Sequence, residues 1–276
     1  MAEPWHKPEK MEAALPEFEI ALKAAAKAGE EIMKVYASDF FSKTKEDYSP
    51  ITMADLKSNK VIKEILSKTG LEILSEEDYD AKKRLEENRV WIVDPLDGTT
   101  DFVKRTGEFT IMIGLVQEGK PVLGVISWPT ENTVFAAQTG CGAWMFSNNS
   151  WNRIFVSKVS ELSRCRAVGS RHHISDAEMD LLKKLQLTKF TSVGSSLKVA
   201  KISSGDAEIY LTTTNKMKEW DTCASYCIIS EAGGKMTDML GNDLSYNNQN
   251  VNHLNGILVT NGLIHNKIVR EFQKSQ

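Results

Sequence analysis

The sequence predicts a layered α+β protein in two halves. Two helical periods lie near the start, a central run of apolar segments is broken by short turns, and strands alternate with helices toward the end. The first helix is expected from about Phe18 to Tyr36, with Phe18, Leu22, Ala25, Ile32 and Tyr36 approximating one apolar face and Gly29 as its weak point. Ser42 to Pro50 carries Lys43, Lys45, Glu46 and Asp47 with little to bury, and reads as a polar loop with the character of a mobile lid. Thr52-Met53-Ala54-Asp55 starts a second helix, with Ile62, Ile65 and Leu66 inward.

An apolar run at Leu71 to Leu74 ends in Glu76-Glu77-Asp78, and Val90 to Val93 reads as a buried strand. Pro95 lacks a backbone donor and biases Asp94 away from helix, so this strand is expected to stop at Asp94. Asp94 and Asp97 then leave the strand end together, two hard oxygen ligands three residues apart that suit Mg²⁺. Gly98 lets backbone approach an anion. A helix starting at Thr99 would turn the free N–H groups of Gly98, Thr99 and Thr100 toward a phosphate. The alternative is a turn in which Asp97 merely caps the helix. Two carboxylates hold a cation weakly, and the chain offers Glu76 and, at a third apparent strand-to-helix junction, Asp221. Taken singly, Glu76-Glu77-Asp78 is equally a solvated turn and Asp221 a helix cap.

Thr110 to Gln117, Pro121 to Trp128 and Thr133 to Gln138, separated by short turns, read as an antiparallel meander. The polar patch Ser147 to Asn152 marks the expected domain boundary, giving an N-terminal α+β metal-binding domain, 1–150, and a C-terminal α/β domain, 151–276, with the active site between them. Beyond it, strands near Arg166 to Gly169, Phe190 to Val193, Ala207 to Leu211 and Ile257 to Thr260 alternate with helices at Ser175 to Leu185, Ser196 to Ser203 and Asp221 to Ala232.

With 276 residues, 41% of them hydrophobic, the chain has ample material for a buried core. A net charge of −3 argues against a broad basic face for a nucleic-acid polymer. No run approaches the ~18 apolar residues of a membrane span, and the N-terminus lacks an apolar signal stretch, so the expected address is the cytoplasm. Cys141, Cys165, Cys223 and Cys227 have no spacing typical of a disulfide framework or a zinc ribbon, and are expected reduced, with Cys223 and Cys227 in core packing.

Asp94-Pro95-Leu96-Asp97-Gly98-Thr99-Thr100, the upstream Glu76-Glu77, and Trp220-Asp221-Thr222 followed by Glu231-Ala232-Gly233-Gly234 resemble the signatures of the inositol monophosphatase superfamily, over nearly the whole chain. Within it the sequence is most similar to the 3'(2'),5'-bisphosphate nucleotidases, through Val103 to Thr110, Ser192 to Lys198, and Lys235 to Asp238 with Gly241-Asn242. The resemblance implies the layered αβαβα sandwich of the inositol monophosphatase and fructose-1,6-bisphosphatase type. It implies that Glu76, Asp94, the Leu96 carbonyl, Asp97 and Asp221 bind two to three Mg²⁺ ions, with Glu77 behind them. It also implies that Thr99 orients the attacking water and passes its proton to Asp55, while Gly98 and Thr99 hold the phosphate. Ser196 and Lys198 become candidates for the second phosphate and ribose, and His173 for the base; His172 and His173 read equally as a solvated loop.

Two departures stand out. Thr212 to Glu219 has only Lys216 and Lys218 where many of these nucleotidases carry a phosphate-binding arginine, and a lysine lacks the bidentate fork. Thr100 and Asp101 replace the lysine and glutamate of several bacterial nucleotidases, as in inositol monophosphatases. The expected substrate is a small phosphorylated molecule, adenosine 3',5'-bisphosphate above an inositol phosphate or fructose 1,6-bisphosphate. A homodimer and lithium sensitivity are family expectations, and a catalytically silent phosphonucleotide sensor and a metal-buffering protein are the non-enzyme alternatives.

Overall fold

The structure is a computed structural model and describes residues 5–44, 50–171 and 174–274. Helix α1 (Pro16–Tyr36) starts with a proline in its first turn, where no N–H is missed, and with Glu17 and Glu19 at the positive end of the dipole. The apolar face read from the sequence is the buried one: Phe18, Leu22, Ala25 and Ile32 are fully enclosed. The ends of the expected polar loop form a ribbon instead, β1 (Ser42–Thr44) pairing antiparallel with β2 (Pro50–Thr52). The lid reading falls on 45–49, outside the described residues. Helix α2 (Met53–Leu66) follows at once and packs along α1.

The next strands build one seven-stranded sheet in chain order. β3 (Glu72–Ser75) lies parallel to β4 (Arg89–Asp97), and after the short helix α3 (Thr99–Val103) the sheet continues antiparallel. Its remaining members are β5 (Thr110–Gln117), β6 (Lys120–Trp128), β7 (Thr133–Gln138), β8 (Gly142–Ser147) and β9 (Ser150–Ile154). The patch Ser147 to Asn152, expected as a domain boundary, is therefore a hairpin tip. Ser147 pairs with Ser150, and Asn148 and Asn149 take φ of 49° and 60°, the two left-handed positions that a tight hairpin turn demands. The sheet runs on to Ile154.

The second sheet takes the order β11-β10-β12-β14-β13. It is formed by β10 (Arg166–Ser170), α4 (Asp176–Lys184), β11 (Lys189–Val193), α5 (Leu197–Ser203), β12 (Ile209–Thr212), α6 (Glu219–Glu231), β13 (Lys235–Thr237), β14 (Ile257–Thr260) and α7 (His265–Gln273). β10 runs parallel to β11 and β12, whereas β14 is antiparallel to both its neighbours.

Alternation along the strands sorts the apolar side chains into layers. Trp91, Val93, Ile111 and Ile113 join α1 and α2 in one core. Met112, Ile126 and Phe135, on the opposite face, meet Ala224, Cys227 and Ile228 of α6. Tyr210, Val259 and Met236 of the second sheet pack on Val199, Ile202 and Ile229 from the other side of the α5–α6 layer. Ile209, Leu211 and Leu258 point outward to Leu181, Leu182 and Ile268 of α4 and α7. Helix, sheet, helix, sheet, helix is the αβαβα order. Cys223 and Cys227 sit inside it as buried thiols, and all four cysteines are unpaired.

The central helix approaches the first sheet at one place. Gly114 and Gly124 face each other across β5 and β6. A methyl at Gly114 would strike Cys223 Sγ, and one at Gly124 would strike the Ala224 carbonyl. Both strands therefore have no side chain where α6 crosses.

Candidate active site

In a regular strand, residues three apart point to opposite faces. β4 breaks that rule: Asp94 pairs with Met112 and Asp97 with Thr110, three residues on one strand against two on the other. The extra residue is a β-bulge, and it accommodates Pro95 within the sheet at a place where a ladder N–H is not required. The strand thus continues past the expected end at Asp94, and both carboxylates share the face turned to α6. Leu96, inside the bulge, buries its side chain in the α1–α2 core and has its amide tied to Asp94 Oδ1 at 3.0 Å.

Glu76 arrives at the same edge because β3 is the parallel neighbour of β4; its amide donates to the Val93 carbonyl at 3.2 Å. Asp221 comes from elsewhere. It was expected at a strand-to-helix junction, but it lies in the first turn of α6, where Oδ2 accepts the Lys218 amide at 2.6 Å. Glu77 follows Glu76 with its amide 3.4 Å from Ser75 Oγ.

The acids repel one another. Burial, then Glu76, Asp97 and Asp221, push Asp94 well above the usual carboxylate range. Burial also raises Asp97, against the pull of Lys198 and the Ser196 amide, and with Glu76 it lifts Asp221 to about 8. Among the described residues, no three acid, histidine or cysteine side chains already close into a metal cage. The donor set is nonetheless hard oxygen throughout, and its excess negative charge is what a divalent cation would relieve. Glu76, Asp94, Asp97 and Asp221 could hold such ions with the Leu96 carbonyl, which takes a 3.2 Å bond from the Thr99 hydroxyl.

Gly98 turns the chain from β4 into α3 with φ of 92°, and a Cβ there would press on the Glu108 carbonyl and on Ser195. Only glycine fits. The turn places the Thr99 hydroxyl 3.0 Å from Asp55 Oδ1. Asp55 is held from the other side: Oδ2 accepts the Thr52 amide at 2.7 Å, one half of the capping box that starts α2, and separately the Thr52 hydroxyl at 2.7 Å. Burial raises the Asp55 pKa against these hydrogen bonds, so the carboxylate is a stronger base than an exposed one. The helix starts at Thr99, and its first amides have no acceptor within so short a helix.

The second sheet brings the turn between β11 and α5. Ser195 adopts φ of 48°, the Ser196 amide donates to Asp97 Oδ2, and the Ser196 hydroxyl lies 2.7 Å from that of Thr110. Lys198 is buried: Nζ donates to the Ser195 carbonyl at 2.5 Å and stands 5.4 Å over the Tyr210 ring. Burial lowers its pKa, while Asp97, Asp101 and Asp221 counter that effect. Glu108 Oε2 accepts the Gly194 amide and Arg171 Nη2, each at 2.6 Å, fastening the two sheets at the rim. His172 and His173 lie outside the described residues.

A cavity of about 750 Å³ runs between the sheets. Glu76, Asp97, Gly98, Thr99, Ser196, Lys198 and Asp221 line it, and Lys216 and Lys218 reach it from the loop before α6. Val168, Leu182, Phe190 and Tyr210 form an apolar part of its wall. Glu108 and Thr110 lie in the Val103 to Thr110 segment that carries the resemblance, but the sequence assigns no role to them or to Tyr210; pairing across the sheets gives the first two a place here, and the contact with Lys198 the third.

These five layers and the acid-lined cleft are those of a phosphatase. The chain belongs to the inositol monophosphatase family, whose family model matches residues 15–276. It is 38% identical over 227 residues to the 3'(2'),5'-bisphosphate nucleotidase CysQ of Salmonella typhimurium, covering 80% of this chain and 90% of that one. The CysQ nucleotidase of Escherichia coli strain K12 is 37% identical with the same coverage. Among solved structures, CysQ from Bacteroides thetaiotaomicron, a bacterial member of the inositol monophosphatase family, superposes with a TM-score of 0.76 at 31% identity over 89% of this chain and 97% of that one. The extragenic suppressor protein suhB from Bartonella henselae gives 0.81 at 27% identity over 95% and 100%. Among the described residues, no helix is long and apolar enough to cross a membrane.

Proposed function

We propose that the protein is a Mg²⁺-dependent 3'(2'),5'-bisphosphate nucleotidase that removes the 3'-phosphate of adenosine 3',5'-bisphosphate to give AMP and phosphate. The observation that carries the reaction is the Thr99–Asp55 pair, 3.0 Å long, at the edge of the four carboxylates. Thr99 Oγ1 gives its hydrogen to Asp55 Oδ1 and turns its lone pairs toward a water in the cleft. As the water attacks phosphorus and the bond from phosphorus to the ribose 3'-oxygen breaks, the water's proton moves to Thr99 Oγ1 and that of Thr99 to Asp55 Oδ1, while the departing alkoxide takes a proton from solvent. Base catalysis of this kind contributes roughly 10²–10⁴ in rate. Divalent ions held by Glu76, Asp94, Leu96, Asp97 and Asp221 supply the charge that neutralises phosphoryl oxygens, acidifies water and stabilises the leaving alkoxide. The amides of Gly98 and Thr99 hold the phosphate.

The nucleotide preference rests on the named activity of the CysQ relatives and on the apolar wall at Val168, Phe190 and Tyr210, which suits a base better than a polyol. Ser196, Lys198 and His173 are the proposed substrate contacts. The sulfated nucleotide is a second substrate to assay, and lithium inhibition, a homodimer and a cytoplasmic address accompany this reading as proposals. Inositol or fructose bisphosphate chemistry is the competing reading, favoured by the missing arginine in 212–219.

Phosphate release with Mg²⁺ from adenosine 3',5'-bisphosphate, inositol 1-phosphate and fructose 1,6-bisphosphate decides between them. A kcat/KM advantage of about a hundredfold for the nucleotide, or about 2.7 kcal/mol of differential transition-state binding, is expected. Equal or better rates on the others would refute the nucleotide assignment. Asp94→Asn should abolish turnover on every substrate; near-native activity would overturn the site itself.

A further inference from the structure

Among the described residues two tyrosines are buried, and their phenols differ. Tyr246, 2% exposed, donates its hydroxyl to Thr222 Oγ1 at 3.1 Å. Tyr210, 5% exposed, has no hydrogen-bond partner for its hydroxyl among the described residues. A buried phenol ordinarily has one. The hydroxyl is not sealed into the core either. Sealed, unpaired side-chain atoms do occur among the described residues, at Arg89 Nε, Ser127 Oγ, Ser225 Oγ and Asn261 Oδ1. Tyr210 instead lines the 750 Å³ cavity.

The charged groups that act on this phenol are engaged elsewhere. Lys198 stands over the ring, gives Nζ to the Ser195 carbonyl and has no acceptor to offer. Glu178, the acid that acts on the phenol most strongly, is occupied at both oxygens. Its Oε1 accepts the Thr212 hydroxyl and the Thr213 amide, each at 2.7 Å, and its Oε2 accepts the Ser175 amide at 2.8 Å. Burial, then Glu178, Asp221 and Asp97, push the phenol above its usual 10, so it keeps its hydrogen and remains a donor. The ring belongs to the apolar stretch of wall formed with Val168, Leu182 and Phe190. A few polar groups set in an apolar wall are what fix the orientation of a bound ligand. We propose that Tyr210 is a specificity-determining residue whose hydroxyl donates to a ring nitrogen of the substrate's heteroaromatic base. The inference rests on the nucleotide reading and names one contact within it.

Tyr210→Phe tests it by removing one oxygen while keeping the ring under Lys198. Inhibition of adenosine 3',5'-bisphosphate hydrolysis is measured in the full chain and the variant with three probes: AMP, ribose 5-phosphate and inorganic phosphate. Ribose 5-phosphate lacks the base, and phosphate lacks the sugar as well. The inhibition constant for AMP and the KM for the bisphosphate should each rise about tenfold in the variant. The constants for ribose 5-phosphate and phosphate, and kcat, should stay within about twofold of the parent's. The Tm without ligand should not fall, because no group of the protein loses a partner. An AMP constant within about twofold of the parent's overturns the contact. Equal weakening of AMP and ribose 5-phosphate places the hydroxyl on sugar or phosphate and overturns the assignment to the base. A parent chain that hydrolyses inositol 1-phosphate but not the nucleotide removes the nucleotide reading itself, and the Tyr210 contact with it, before any variant is made.

Discussion

Asp97 Oδ2 accepts the backbone N–H of Ser196, a hydrogen bond that joins the bulged strand of one sheet to the helix entry of the other. The donor is a main-chain group, so the contact survives any ordinary substitution at position 196. Ser196→Ala should lose the 2.7 Å hydroxyl contact with Thr110, about 1 kcal/mol of stability, and, with the proposed substrate contact gone, raise KM for the nucleotide roughly tenfold at unchanged kcat. A KM within about twofold of the parent's would remove the hydroxyl from the substrate and leave it to Thr110 alone.

Thr99→Ala should lower kcat by roughly 10²–10⁴. Thr99→Ser, which keeps the hydroxyl facing Asp55, should recover most of it. Calorimetry with Mg²⁺ alone should give the same affinity for both, because the metal-holding acids are untouched. Full activity in the alanine variant would remove Thr99 from the chemistry.

Lys198 behaves as a buried counter-ion to Asp97, Asp101 and Asp221. Lys198→Met keeps its length beside Tyr210 but leaves these acids without that charge. Uncompensated buried charge typically costs about 3–5 kcal/mol, so the Tm in chelator should fall markedly. Mg²⁺ should restore more Tm in the variant than in the parent. An unchanged Tm in chelator would show that Lys198 serves the substrate alone.

His265 is buried between the hydroxyls of Thr237 and Thr260, each 2.9 Å from a ring nitrogen. Burial, with Lys235 nearby, draws its pKa from 6.5 down to about 4. The folded protein holds the ring neutral, so below pH 6.5 the unfolded chain takes up a proton that the native state refuses. Stability should therefore fall as pH drops from about 6.5 to about 4, by roughly 3 kcal/mol for this ring, and level off below. His253 has the same shift and adds to the slope. Urea midpoints against pH should show a shallower slope for His265→Gln; identical slopes would exclude the ring as a source.

Much of this was legible from residue order. The α1 face, the meander and the strand–helix alternation follow from periodicity, which reports burial directly. Several features were not. The continuation of β4 past Pro95 depends on a bulge, and only the partner strand shows that one residue is unpaired. β8 and β9 were hidden because Asn148-Asn149 looks like a linker when read for polarity and like a tight turn only when read for φ. β13 is three residues long, too short for any period to register, and α7 lies beyond the segment that carried the resemblance. For the site, the acids at 76, 94 and 97 stand near apolar runs that announce them. Asp221 is brought to them by tertiary packing alone, and its role came through the family pattern.

The glycine pair under α6 has a consequence for how the molecule comes apart. By chain order α6 belongs to the later half, yet it is seated on the backbone of the earlier sheet at Gly114 and Gly124, and its end is tied there as well, Glu231 accepting the amides of Gly140 and Gly142. A fragment ending near Ile154 would leave Met112, Ile126 and Phe135 facing water, while the complementary fragment would carry a helix with nothing beneath it. Two sheets are visible, but neither half should fold alone: the pieces exchange a helix, and they should melt in one cooperative step, a single transition in calorimetry.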